Sequence, residues 1–159
     1  MKSFLKVGMG FGMTSATITT LGLMIGLQSS TGSELAVIGG ILTIAVADSF
    51  SDALGVHIAK ESEGNFTHKE VWQTTVATFL FKLVLALTFL IPVLLLPMTY
   101  AIWAAIVWGG IILVFQSYSL TKETKSKALP TILEHVSIAA LVMILTHYFG
   151  LFIASRFNS

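Results

Sequence analysis

The chain contains no cysteine. Disulfides and thiolate metal centres are therefore excluded, and cysteine usage says nothing of the redox compartment. Proline is nearly absent, at three residues, so little interrupts helix formation. Charge is also scarce. Charged residues make up 11% of the 159 residues, against about 25% in soluble domains. So few charges cannot coat a water-facing surface, so lipid must cover much of this one. The formal net charge of +1 provides no field for nucleic acid. No Gly-rich loop opens a helix in a phosphate-binding pattern, which argues against ATP as a driving force. No HExxH or paired metal-binding motif is present, and no Ser–His–Asp spacing selects a catalytic set. The chain reads as a membrane protein and not as an enzyme.

What is present is 55% hydrophobic residues gathered into long runs. The length equals one ordinary domain, but five spans of roughly 20–25 residues nearly exhaust it. The expected fold is all-α: one polytopic transmembrane domain over 1–159, with spans at about 5–28, 34–59, 71–96, 101–119 and 130–154. The apolar run after Lys6 continues to about Gln28 without a small-residue cleavage site, so it reads as a retained first helix and not a signal peptide. Span one is rich in Gly, Met and Thr, and its small residues Gly8, Gly12, Ala16, Gly22 and Gly26 invite close helix packing. Ser33-Glu34 suits the start of span two. Pro92 falls in the last turns of span three, where a membrane helix tolerates it, and Pro130 fits the first turn of span five.

Trp72, Tyr100, Trp103, Tyr118 and Tyr148 fall near span ends, as interfacial anchors do, while Trp108 lies deeper and reads as packing. Lys2, Lys6, Lys60, Lys69, Lys122, Lys125 and Lys127 share one side of a five-span arrangement, with Arg156 alone on the other. The positive-inside rule then puts the N-terminus and the 60–70 and 120–129 segments in the cytoplasm. With no targeting segment evident, the expected location is a prokaryotic plasma membrane, as a multi-pass protein in the lipid bilayer.

Three charges fall deep inside the spans, away from their ends. Asp48 falls near the middle of span two, and Asp52 follows one turn later, on the same helix face and about 6 Å nearer the cytoplasm. Lys82 falls near the middle of span three. Ser15 and Thr14 of span one reach a similar depth. A charge at mid-bilayer costs about 2.5–3.5 kcal/mol on insertion scales, and such residues default to function. Two carboxylates one turn apart repel unless a cation or a proton relieves them. In the functional reading they form a hard-oxygen site for a divalent cation, or a proton relay, to which Met13 and Met9 can add thioether sulfur. In the competing reading Lys82 neutralises one aspartate and the group only fixes helix register. A permanent ammonium in the layer opposes cation binding unless it moves, which makes Lys82 a gating counter-ion in the functional reading. His57, Glu61, Glu63, His68, Glu70, Glu134 and His135 gather at the cytoplasmic span ends, either as a vestibule or as solvated helix termini. His147 reads as a hydrogen-bonded interior or interfacial histidine.

Gly12–Ser30, GMTSATITTLGLMIGLQSS, resembles the first-helix pattern of the vacuolar iron transporter family, the iron–manganese carriers of plant and yeast vacuoles and their prokaryotic relatives. Ser49–Glu63, SFSDALGVHIAKESE, is similar to that family's second-helix pattern, and the late Thr146–Gly150, THYFG, agrees with its fifth span. The chain resembles a divergent, short prokaryotic-type member. The family's first-helix aspartate falls on Ser15, its second-helix methionine on Asp52, and its membrane glutamate near Ile44, one turn before Asp48. Its Glu-rich cytoplasmic domain is replaced by a short polar segment. The resemblance implies a homodimer with a cation path along spans one and two. It implies transport of Fe2+ or Mn2+ as substrate, by proton-coupled export from the cytoplasm. Asp48, Asp52, Ser15 and Met13 would contact the metal, and no permanently bound cofactor is implied. A non-transporting scaffold and a proton-linked carrier of an organic solute are the alternatives.

Overall fold

The computed structural model describes the backbone of residues 3–124 and 127–157 and the side chains of 6–122 and 127–157. Lys2 and Lys125, used above for orientation, lie outside the described residues. The elements are α1 (Ser3–Thr31), α2 (Glu34–Ser62), α3 (His68–Thr88), α4 (Leu90–Leu95), α5 (Met98–Thr124) and α6 (Ala128–Phe157). The described residues form no strand. Five helical segments are long and apolar enough to cross a membrane, with α3 and α4 together making the third. This is the architecture an apolar solvent demands, because each segment must satisfy its own backbone hydrogen bonds.

The helices run past the apolar stretches read from the sequence because polar residues finish their ends. Ser33 Oγ accepts from Ala36 N at the start of α2. Thr67 and Glu70 form a capping box at the start of α3, which therefore begins at His68 and not at 71. Gly32 and Gly64 take positive φ of 62° and 67° where α1 and α2 end, a conformation that glycine adopts without strain. The third span is broken, not continuous. Pro92 has no N–H for the Thr88 carbonyl, and the helix is interrupted at Phe89, whose N–H turns back to Ala86 O at 3.1 Å. The Thr88 hydroxyl donates to Leu85 O (2.6 Å) and accepts the Trp108 indole N–H (3.0 Å), tying the interruption to α5.

The least apolar span, α1, sits at the centre. It packs against α2, α3, α5 and α6. With four helices around it α1 is the most buried of the five long apolar segments, so its Gly, Ser and Thr content carries little solvation cost. The glycines set how closely the neighbours approach. A β-carbon at Gly8 would lie 2.7 Å from Thr74 O, and one at Gly150 would lie 2.6 Å from Gly26 O. α3 and α6 therefore press onto the backbone of α1, in the manner of small-residue membrane interfaces.

Buried residues segregate along the bundle. Met24, Ile41, Phe89, Val93, Ala101 and Ala105 form an apolar core toward the end where α3–α4 meets α5. Toward the end that carries the 63–67 connection, the polar Ser49, Thr74, Thr78 and Lys82 are buried beside the small or apolar Ala53, Val71 and Ala77 of α2 and α3. Thr74 and Thr78 satisfy themselves by donating to Glu70 O and Thr74 O, each at 2.9 Å. The outer faces of α5 and α6 expose large apolar groups such as Phe115, Leu141, Phe149 and Phe152. An apolar exterior of that extent requires lipid or protein cover.

Candidate functional site

The polar end of the bundle is organised around one lysine. Lys82 is 1% exposed and is the largest fully buried side chain. Its ammonium enters from α3 and meets groups from two other helices. It donates to Asp52 Oδ2 of α2 and, at 2.8 Å, to Ser15 Oγ of α1. Ser15 in turn donates to Asp52 Oδ2 at 2.6 Å, so ammonium, hydroxyl and carboxylate close a ring. Asp48 Oδ2 lies 2.5 Å from the same ammonium as an ion pair. The contact lacks hydrogen-bond geometry, and this buried oxygen accepts no hydrogen bond.

Three features of helix geometry assemble this cluster. The one-turn spacing of Asp48 and Asp52 presents both carboxylates on one face of α2. Gly12 lets α3 approach α1 at the level of Lys82: a β-carbon there would lie 2.9 Å from Thr78 O and 3.3 Å from Lys82 N. Antiparallel pairing of α1 with α2 brings Ser15 level with Asp52. Two carboxylates against one ammonium leave one formal negative charge in excess. In a low-dielectric layer, such an excess must be matched by a proton, a cation or water.

The aspartates are not sealed. Their side chains are 25% and 20% exposed, whereas Lys82 is enclosed. Asp52 lines a groove of about 470 Å³ between α1 and α2, walled by Phe11, Ser51, Gly55 and Val56, which reaches Lys60 at the end of α2. A path thus leads from the end carrying the 63–67 connection to the carboxylate.

Of the residues singled out in the sequence, Ser15, Asp48, Asp52 and Lys82 are brought together as their depths indicate. Met13 is not brought to them. It packs against the apolar core, because two residues along a helix rotate a side chain by roughly 200° from Ser15. Met9 lines a separate cavity between α1, α5 and α6. The vestibule residues also disperse. His57 Nδ1 lies 2.9 Å from Thr75 Oγ1, and its ring meets the edge of Trp72. Glu63 pairs with Lys60 at 2.7 Å, and Glu61 is exposed. Glu70 caps α3, and His68 accepts from the Trp72 indole at 3.3 Å. Glu134 is exposed on α6, which packs on α1 and α5, whereas α2 packs on α1, α3 and α4. His135 Nδ1 lies 2.8 Å from Ser117 Oγ, also on that other side of α1. Among the described residues no three His, Asp or Glu side chains converge.

One residue of this region was not singled out from the sequence. Ser49, beside Asp48, is fully buried, and its hydroxyl has no partner. It belongs to the inward stripe Ile41, Ala45, Ser49, Ala53. A serine in a stripe of that period is the signal that marks it. No family model, curated protein or solved structure matches this chain.

Proposed function

We propose that the chain is a membrane carrier of a divalent metal cation, iron or manganese, moved out of the cytoplasm in exchange for protons. The observation that carries this reading is Asp52. It is a carboxylate in a layer with one excess negative charge, and it opens onto a groove that reaches one end of the bundle. Carboxylate and hydroxyl oxygens suit hard divalent cations, and Asp48, Asp52 and Ser15 supply them. Lys82 holds the site when no metal is bound, and metal loading requires that its ammonium withdraw. The resemblance of Gly12–Ser30 and Ser49–Glu63 to the vacuolar iron transporter family supports the same substrate class and the proton coupling.

The lysine distribution supports an N-terminus in the cytoplasm, and the proposed location is a prokaryotic plasma membrane. The groove then faces the cytoplasm. The working unit is a homodimer. Support comes from the outer face of α2, where Gly39, Thr43, Ala47, Ser51, Gly55 and Ala59 recur every fourth residue and are all exposed. Small residues at that period let two membrane helices approach closely. The stripe shares Ser51, Gly55 and Ala59 with the groove that reaches Asp52, so pairing through it makes the partner's helix the outer wall of that groove and sets two acidic clusters near each other.

A specific observation favours a second reading, a non-transporting scaffold. One ammonium joins α1, α2 and α3, which is what a register-fixing clamp requires. Flux decides between them. Purified protein in vesicles holding a metal-quenched dye is challenged with Fe2+, Mn2+, Co2+, Zn2+ and Ca2+, with and without a pH gradient. Saturable, gradient-dependent quenching by Fe2+ or Mn2+ is expected. No flux of any ion through correctly inserted protein selects the scaffold.

A further inference from the structure

The Lys82 ammonium marks the point where the bundle holds a positive charge, and its polar partners there are all oxygens. Asp48 Oδ2 at 2.5 Å, Ser15 Oγ at 2.8 Å and Asp52 Oδ2 meet around it. Donors of other kinds lie elsewhere. The chain has no cysteine. Met13, Met24, Met98 and Met143 belong to the apolar core, and Met9 lines the cavity between α1, α5 and α6. The histidines are engaged with other partners: His57 with Thr75, His68 with Trp72, His135 with Ser117 and His147 with Ser29. A cation that enters as the ammonium withdraws therefore meets carboxylate and hydroxyl oxygen, without imidazole or sulfur.

The number of donors matters as much as their kind. One oxygen each from Asp48, Asp52 and Ser15 leaves an octahedral ion short of ligands. The groove at Asp52, about 470 Å³, has room for waters to supply the rest, at roughly 30 Å³ each. Mg2+ binds in this manner: it gives up water reluctantly and takes one or two carboxylates from a protein. Imidazole, thiolate and thioether give the softer metals their advantage, whereas carboxylate and water suit Mg2+ and Mn2+. We infer that the site takes a hard cation that keeps part of its water, so that Mg2+ shares it with Mn2+ while Fe2+, Zn2+ and Cd2+ gain no large advantage. This rests on the cation site of the carrier reading and narrows its cargo.

The test is Mn2+ binding to protein in phosphatidylcholine nanodiscs, read by loss of the free-ion electron paramagnetic resonance signal, with Mg2+, Zn2+ and Cd2+ as competitors. Protein carrying Asp48→Asn and Asp52→Asn gives the background from surface carboxylates. In the unaltered protein Mg2+ is expected to bind within about tenfold of Mn2+, and Zn2+ and Cd2+ at most about tenfold more tightly. Ser15→Cys puts sulfur beside Asp52 Oδ2, where the hydroxyl lies at 2.6 Å, and is expected to strengthen Cd2+ about a hundredfold relative to Mn2+. Zn2+ or Cd2+ outcompeting Mn2+ by about a hundredfold in the unaltered protein would overturn the inference, because a nitrogen or sulfur ligand must then be present. So would an unchanged Cd2+ affinity in Ser15→Cys, or Mn2+ binding no greater than the background. Binding in the expected order without flux would support the hard-cation site and remove the carrier reading instead.

Discussion

Gly12 of α1 and Lys82 of α3 are in backbone contact. A β-carbon at Gly12 would stand 3.3 Å from the Lys82 amide nitrogen and 2.9 Å from Thr78 O. This absence of a side chain lets Lys82 reach across α1 to Ser15 and both aspartates. Gly12→Ala is therefore expected to push α3 outward and cost about 1–3 kcal/mol, the range for overpacking a tight interface. Thermal unfolding in detergent measures it. An unchanged midpoint would mean the approach of α3 is not set by Gly12.

The ion cluster makes a sharper prediction. Lys82→Met leaves two aspartates in the bundle without their ammonium. Removing one partner of a buried ion group costs about 3–5 kcal/mol. Adding Asp48→Asn and Asp52→Asn to Lys82→Met is expected to restore most of that loss, since no uncompensated charge then remains. Denaturant unfolding of the single and combined variants measures the coupling. Additive effects would count against direct pairing.

The depth of Asp48, Asp52 and Lys82 along the long apolar helices was legible from position in the sequence alone. That was enough to place Ser15, Asp48, Asp52 and Lys82 in one layer, because antiparallel helices of similar length align their midpoints. Rotation about each helix was less legible. Met13 shares the depth of Ser15 but faces the apolar core. Glu134 shares an end of the bundle with His57 but stands on the other side of α1, and nothing in loop length foretells on which side of a central helix the last span will pack. The interruption at Phe89 was written in the chain as Pro92, which the sequence alone presents as a proline that the span tolerates. The α3 start at His68 was written as the Thr67–Glu70 spacing, a capping signal that a reading based on apolar runs passes over. The unpaired hydroxyl of Ser49 becomes visible only when burial is known.

The capping box offers a local test of the α3 boundary. Thr67→Ala removes the acceptor of the Glu70 N–H, and the loss is expected to be about 1 kcal/mol. Hydrogen exchange in the first turn of α3 is expected to speed up, with α5 and α6 unaffected. Unchanged protection at 68–71 would show that the box contributes nothing.

The open face of α2 carries the dimer claim. Gly55 has nothing within 4 Å of its would-be side chain, so Gly55→Leu fits within one chain while filling the interface of a pair. The variant is expected to weaken association at least tenfold in vesicles, read by energy transfer between labelled chains. Its thermal midpoint at high dilution is expected to be unchanged. Undiminished association would remove α2 from the interface.

The central claim is that Asp52 is the carboxylate a transported cation meets first. Mn2+ flux into vesicles containing unaltered protein, Asp52→Asn or Asp48→Asn, each shown to be inserted and folded, tests it most directly. The account predicts saturable flux in the unaltered protein and at least a tenfold loss in Asp52→Asn. Equal flux in all three would contradict it, and would leave the Lys82 cluster as a clamp between helices.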